Sequence, residues 1–224
     1  MAGVGRKTMP QIFGKGSNVL AKASLPGAAL LLTIVILVGA NVTPYTHRLG
    51  VALDQPAPFS HKHHFTELGI DCRYCHTGVE KSPIAGVPAT ETCYTCHSQI
   101  WWNSPLLQVV RDSYNKNIPI EWSRVNNVPD FVYFDHSVHV TKGISCFTCH
   151  GEIDKQNLTF KENAFQMKYC LDCHRNPEAL IRPMNEVFNP DYHYGKDHAK
   201  LGAELVKERG IRKEQLDDCS VCHH

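Results

Sequence analysis

The 224 residues leave room for one domain or two, and 23 Lys and Arg against 22 Asp and Glu give a formal net charge of +1. That balance, with no clustered basic stripe, excludes a general electrostatic case for nucleic-acid binding. Ten cysteines would first suggest disulfides in a secreted chain, but their spacing argues otherwise.

Residues 1–24 form a basic leader that carries Arg6, Lys7, Lys15 and Lys22. The 25 residues between Lys22 and Arg48 contain no Asp, Glu, Lys or Arg, and LPGAALLLTIVILVGANV (25–42) is continuously apolar or small. About 20 such residues cross a bilayer core, so a transmembrane helix is expected at 25–43. Positive charge on its N-terminal side places the N-terminus in the cytoplasm and the rest in the periplasm. The expected location is thus the cell inner membrane, single-pass. Val38-Gly-Ala40 would also serve as a signal cleavage site, but a basic leader this long favours a retained anchor. A connector, 44–58, follows.

The first module, 59–98, opens with FSHKHHFTELGIDCRYCH (59–76). Its end, Cys72, Cys75 and His76, is a C-x-x-C-H motif, and a second follows at Cys93, Cys96 and His97. Upstream, His61 and His64 stand three residues apart, so a helical turn brings both imidazoles near one face. KSPIAGVPATET (81–92), with one Gly and two Pro, reads as a loop. The inter-module segment, 99–133, holds a predicted short helix near Pro105–Tyr114, preceded by Trp101 and Trp102, which are placed to stack on a porphyrin or on a partner.

In the second module, 134–175, FDHSVHVTKGISCFTCH repeats Phe-x-His-x-x-His, Gly-Ile and C-x-x-C-H with one residue fewer between. Here the motifs are Cys146, Cys149, His150 and Cys170, Cys173, His174, and the upstream pair is His136 and His139. Such self-similarity indicates two related modules. His63 faces Val138 in the repeat and reads as a non-ligand. The last segment, 176–224, contains a predicted helix in KDHAKLGAELVKERG ended by Gly210, then Cys219, Cys222 and His223.

Every cysteine pair is therefore followed at once by histidine. Zinc knuckles pair to give four-thiolate sites, yet five cannot pair evenly and none needs a following histidine. The pattern implies five covalently bound haem c groups, with two thioethers fixing each porphyrin and the next histidine under the iron. Four upstream histidines supply four sixth ligands. For the fifth iron the candidates are Met167, which stands where the first module has Thr90, then His198, His193 and Met184, or an open position. His47 and His224 read as solvated. Lys62 and Lys142 lie beside the upstream pairs, placed to offset haem carboxylates. About 165 residues (59–223) around five haems are too few for a large conventional core. The expected fold is a multihaem cytochrome c, mostly short α-helices and loops wrapped around five covalent haems, with one N-terminal transmembrane helix.

The H-x-x-H and C-x-x-C-H sites resemble those of class III multihaem cytochromes c. Over PFSHKHHFTELGIDCRYCHTGVEKSPIAGVPATETCYTCHSQIW and IEWSRVNNVPDFVYFDHSVHVTKGISCFTCHG, together with YCLDCHRNPE and the final CSVCH, the chain is similar to the pentahaem membrane-anchored cytochrome c subunit of alternative complex III. The resemblance covers roughly residues 56–224 and includes segments outside the haem motifs. It implies an electron-transfer subunit, itself non-catalytic, of a quinol-oxidising respiratory complex that passes electrons to a cytochrome c or an oxidase. Implied partners are an iron–sulfur subunit, a monohaem cytochrome c subunit and polytopic membrane subunits. Two rival classes are a self-contained small membrane-anchored quinol dehydrogenase, and a small-ligand reductase, which needs an open iron.

Overall fold

The computed structural model describes residue 14 and residues 16–223. Arg6, Lys7 and Lys15 of the leader, and His224, lie outside the described residues. The chain divides into two units, Met1–His47 and Arg48–His224.

In the first unit, helix α1 runs over Ser17–Val42, about 39 Å at 1.5 Å per residue. It starts eight residues before the expected anchor, because the end of the leader, SNVLAKAS, continues the same turn. None of its residues is buried. The few polar side chains bond back onto the helix: Ser24 Oγ donates to the Ala21 carbonyl (3.0 Å), Thr33 Oγ1 to Ala29 (2.9 Å) and Asn41 Nδ2 to Leu37 (2.8 Å). Internal satisfaction of this kind is what a hydrocarbon surrounding demands. The helix is long and apolar enough to cross a membrane, a test of length and composition that a signal sequence passes as well.

The second unit is built from loops and short helices. These are α2 (Cys72–Cys75), α3 (Thr90–His97), α4 (Gln108–Lys116), α5 (His136–Thr141), α6 (Cys146–His150), α7 (Met167–Arg175), α8 (His198–Glu208) and α9 (Cys219–Cys222). The helix expected near Pro105–Tyr114 is present as a 3-10 turn, Pro105–Leu107, leading into α4. Gly210, at φ +60°, follows α8 as expected. Among the described residues, sheet pairing is limited to isolated bridges such as Val132 with His223. Only seven apolar side chains are buried among the described residues, and Val79, Val140 and Val187 form their central cluster with Ala85 and Phe188 alongside. A chain of this size ordinarily buries far more apolar surface.

The two module openings differ in one way that their lengths dictate. In the second, α5 is an ordinary helical turn capped by Asp135, whose carboxylate accepts from the Val138 N–H (3.3 Å). In the first, residues Lys62–Glu67 form a π-helical turn, with the Leu68 N–H donating to the His63 carbonyl five residues back (3.1 Å). A π turn absorbs one inserted residue, and the first copy has one residue more. Both copies then rejoin: Ile70 N–H donates to the His64 carbonyl (3.0 Å) and Ile144 N–H to the His139 carbonyl (2.9 Å). The reversal is made by Gly69 (φ +70°) and Gly143 (φ +88°), a conformation that costs glycine little. At Gly143 a Cβ would also stand 2.6 Å from the Arg182 carbonyl oxygen.

Candidate haem-binding sites

Each C-x-x-C-H segment is a helical turn that presents two thiols and an imidazole together. Asp71 accepts from the Arg73 N–H (2.8 Å) ahead of α2, and Ser145 Oγ accepts from the Phe147 N–H (3.3 Å) ahead of α6. These N-caps satisfy donors that a one-turn helix leaves open.

The upstream histidines meet the motif histidines one to one. His61 faces His76 with ring centroids 6.4 Å apart, His64 faces His97 at 6.2 Å, His136 faces His150 at 6.5 Å and His139 faces His174 at 6.1 Å. A metal–imidazole bond is about 2 Å, and the ring centre lies roughly 1 Å beyond the nitrogen, so opposed ligands of one metal should have centroids roughly 6 Å apart. All four pairs have that spacing, so the residues fit an iron between each pair of rings. The first histidine of each upstream pair meets the first motif of its module, and the second meets the second.

In six of the eight rings the opposite edge fixes the tautomer. Nδ1 donates to a backbone carbonyl at His64 (Ser60, 2.8 Å), His76 (Gly86, 2.6 Å), His97 (Ile100, 3.0 Å), His136 (Pro83, 2.8 Å), His139 (Asp135, 2.7 Å) and His174 (Leu216, 2.8 Å). A carbonyl can only accept, so the proton sits on Nδ1 and the Nε2 lone pair is left for a metal. His61 Nδ1 is hydrogen-bonded to Thr159 Oγ1 (3.2 Å). The Nδ1 of His150 is buried without a hydrogen-bond partner. Phe59 holds both members of its pair, edge-on to His61 (4.9 Å) and stacked on His64 (4.4 Å). Phe134 repeats this with His136 (4.7 Å) and His139 (4.8 Å). Burial, followed by neighbouring imidazoles, lowers His61 to about 4, and the same causes bring His150 to about 4. Burial also lowers His64 and His139. These rings are neutral at neutral pH, the state that ligation requires.

The modules interlock through these rings. Thr159 of the second module reaches His61, and Pro83 of the first accepts from His136. Thr66 Oγ1 donates to the Asp154 carbonyl (2.8 Å) across the same boundary. There Cys72 and Cys146 are neighbours, and the contact lowers the Cys72 thiol and raises that of Cys146. Burial and then Cys75 raise the Cys93 thiol. Burial followed by Cys173 raises Cys149 to about 11, and burial followed by Cys222 raises Cys170. The five cysteine pairs thus have a continuous set of near neighbours. None of the ten is paired in a disulfide, and among the described residues no three of His, Cys, Asp and Glu converge as ligands of a bare metal ion.

At the last motif, His223 lies 5.8 Å from Phe131, and the Tyr133 N–H donates to the Cys222 carbonyl (2.8 Å). Met167 is the first residue of α7 and is 62% exposed; Met184 is also exposed. His193 is exposed. His198 is buried between Tyr192 and Tyr194 (ring centroids 6.0 and 4.5 Å), with its Nε2 unpartnered. His63 is hydrogen-bonded to Glu67 (2.8 Å) and stacks on Trp101 (6.0 Å). Trp102 packs against Tyr94 and lies under Arg111. His47 Nε2 is hydrogen-bonded to the Asn41 carbonyl (2.9 Å). The Lys142 ammonium donates to the Arg209 carbonyl (2.6 Å), an engagement that the sequence did not disclose.

Opposed imidazoles beside paired thiols are the arrangement by which multihaem cytochromes c hold covalently bound haem c. Residues 132–224, which include the second module and the last motif, match the family described as cytochrome c7 and related cytochrome c. The chain is also similar to the multiheme cytochrome c subunit of menaquinone reductase from Nitratidesulfovibrio vulgaris (strain Hildenborough). The two are 29% identical over 148 residues, covering 57% of this chain and 70% of the relative.

Proposed function

We propose that this protein is the five-haem electron-transfer subunit of a quinone-linked respiratory membrane complex. Its four opposed histidine pairs, in sites that adjoin one another, carry the reading. When bound, haem c supplies a one-electron centre at each site. Cys72/Cys75, Cys93/Cys96, Cys146/Cys149, Cys170/Cys173 and Cys219/Cys222 tether the porphyrins. His76, His97, His150, His174 and His223 are the proximal ligands, and His61, His64, His136 and His139 the distal ones. Met167, one turn before Cys170 and so on the side of Cys222, is our choice for the fifth. Two histidines at each of these four sites would leave a bound iron no position for substrate, which suits conduction and not small-ligand reduction.

The sites succeed one another in the order Cys93/Cys96, Cys72/Cys75, Cys146/Cys149, Cys170/Cys173, Cys219/Cys222. Three observations support it: one turn carries both upstream histidines in each module, the first motifs of the two modules touch, and Cys170 neighbours Cys222. Helix α1 is a retained anchor in this reading, with the haem-bearing unit in the periplasm.

The sequence resemblance supports the quinol-oxidising direction, as in alternative complex III, with iron–sulfur, monohaem cytochrome c and polytopic membrane subunits as partners. The name of the relative, a menaquinone reductase, favours the opposite direction as a second reading. The deciding experiment adds menaquinol to the purified native complex and follows haem reduction and onward reduction of a cytochrome c. Reduction of both supports quinol oxidation; haems that reduce only from the cytochrome side favour quinone reduction. Rapid menaquinol oxidation by the isolated subunit would identify a self-contained dehydrogenase and overturn the proposal.

A further inference from the structure

The four histidine pairs are not alike. The ring planes are nearly parallel in His61/His76 (10°), His136/His150 (5°) and His139/His174 (23°), but cross at 65° in His64/His97. The two modules show where the difference arises. On the upstream side they are equivalent. His64 stacks on Phe59 at 22° with Nδ1 on the carbonyl four residues back, and His139 stacks on Phe134 at 28° with the same bond. The motif side differs. His174 donates to the Leu216 carbonyl, 42 positions away, whereas His97 donates to the Ile100 carbonyl three residues on, in the turn that ends its own helix.

That carbonyl belongs to the peptide entering Trp101, whose φ of +53° is unusual for a residue with a large side chain. The turn is fixed from three sides: Ile100 N–H donates to the Cys96 carbonyl (3.0 Å), Ser104 N–H donates to the Trp101 carbonyl (2.8 Å), and the indole stacks on His63 at 11°. A strained residue held this firmly is a reason to look for a role.

We infer that the haem tethered by Cys93 and Cys96 has crossed axial imidazoles, a twist imposed by the Ile100 carbonyl, and is thereby electronically distinct from the other three bis-histidine haems. The inference rests on the ligation reading above. Ile100 and Trp101 are positioning residues that act through His97. The electronic consequence follows from symmetry. Parallel imidazoles donate into one of the two iron dπ orbitals and split them, which quenches orbital angular momentum in the ferric state. Crossed imidazoles donate into one each and leave them nearly equal in energy. The ferric signal then becomes strongly anisotropic and moves to low field.

Electron paramagnetic resonance of the oxidised full-length holoprotein in detergent tests this. The wild type should show a low-field, strongly anisotropic low-spin signal that integrates to one haem. It should be lost in His64→Ala and kept in His139→Ala. Trp101→Pro forbids positive φ and swings the Ile100 carbonyl off His97, so the signal should become an ordinary rhombic one; Trp101→Gly, which tolerates positive φ, should keep it. A wild type lacking the signal, or a signal that survives in His64→Ala, overturns the inference. Persistence in a fully haem-loaded Trp101→Pro overturns the role of Ile100. If Trp101→Pro fails to load its haems, the His64→Ala and His139→Ala comparison still decides whether the planes cross at this site. Failure of the ligation reading would look different: haems missing by mass spectrometry, or several high-spin signals in the wild type.

Discussion

Ser145 immediately precedes Cys146, and its substitution by alanine separates two contributions to stability. The hydroxyl donates to the Val187 carbonyl (2.7 Å) and accepts from the Phe147 N–H (3.3 Å), in a side chain 2% exposed beside a fully buried Val187. Ser145→Ala leaves that carbonyl buried without its partner, which costs about 1–3 kcal/mol. The lost cap is long and belongs near the low end of its range, about 0.5 kcal/mol. The expected destabilisation is about 1.5–3.5 kcal/mol, a fall in Tm of about 3–14 °C for a chain of this size. The comparison is Asp71→Ala, which removes the corresponding cap of the first module at a side chain 45% exposed, where its ion pair with Arg73 adds little. That variant should lose only about 1 kcal/mol. Thermal unfolding of both holoproteins, followed in the Soret band, gives the two shifts side by side. Equal losses would refute the assignment of a buried hydrogen-bond cost to Ser145.

Removing one upstream ligand should leave tethering intact, because the thioethers do not depend on it. His136→Ala is expected to keep five covalent haems by mass spectrometry and, once reduced, to bind one carbon monoxide more per chain than the wild type. Met167→Leu should abolish the near-infrared methionine-to-iron band while the bis-histidine bands stay unchanged; a wild type without that band removes Met167 from the ligand set. The hydrogen bond from Lys213 lowers the Glu178 carboxyl. A depressed folded-state value means that the unfolded chain binds the proton first as pH falls, so the pair stabilises above the unfolded pKa of about 4.3 and the gain is lost below the folded value. Glu178→Gln should therefore lower Tm more at pH near 7 than at pH near 3, as read from unfolding curves at both.

What the sequence disclosed and what it withheld divide along chain distance. The motif turns, the repeated Phe-x-His-x-x-His opening, the helix before Gly210 and the apolar N-terminal helix depend on neighbours within one or two turns, and local spacing reveals them. The π turn at Lys62–Glu67 follows from the extra residue of the first copy, though spacing alone suggested only a helical turn. Which histidine meets which was beyond reach, because it depends on how two segments cross. The acceptors that hold the rings were equally hidden: Leu216 is 42 positions from His174, Pro83 is 53 from His136 and Thr159 is 98 from His61. Helix α1 begins ahead of its apolar stretch because helix formation needs only continued backbone bonding through Ser17–Ser24.

The contact between Thr159 and His61, 98 positions apart, also bears on biogenesis. A polypeptide is made from its N-terminus, so His61, Cys72 and Cys75 are synthesised well before Thr159 is. Until Thr159 arrives, His61 lacks the hydrogen-bond partner that orients its ring. The setting of the first upstream ring is therefore completed only by the second half of the chain.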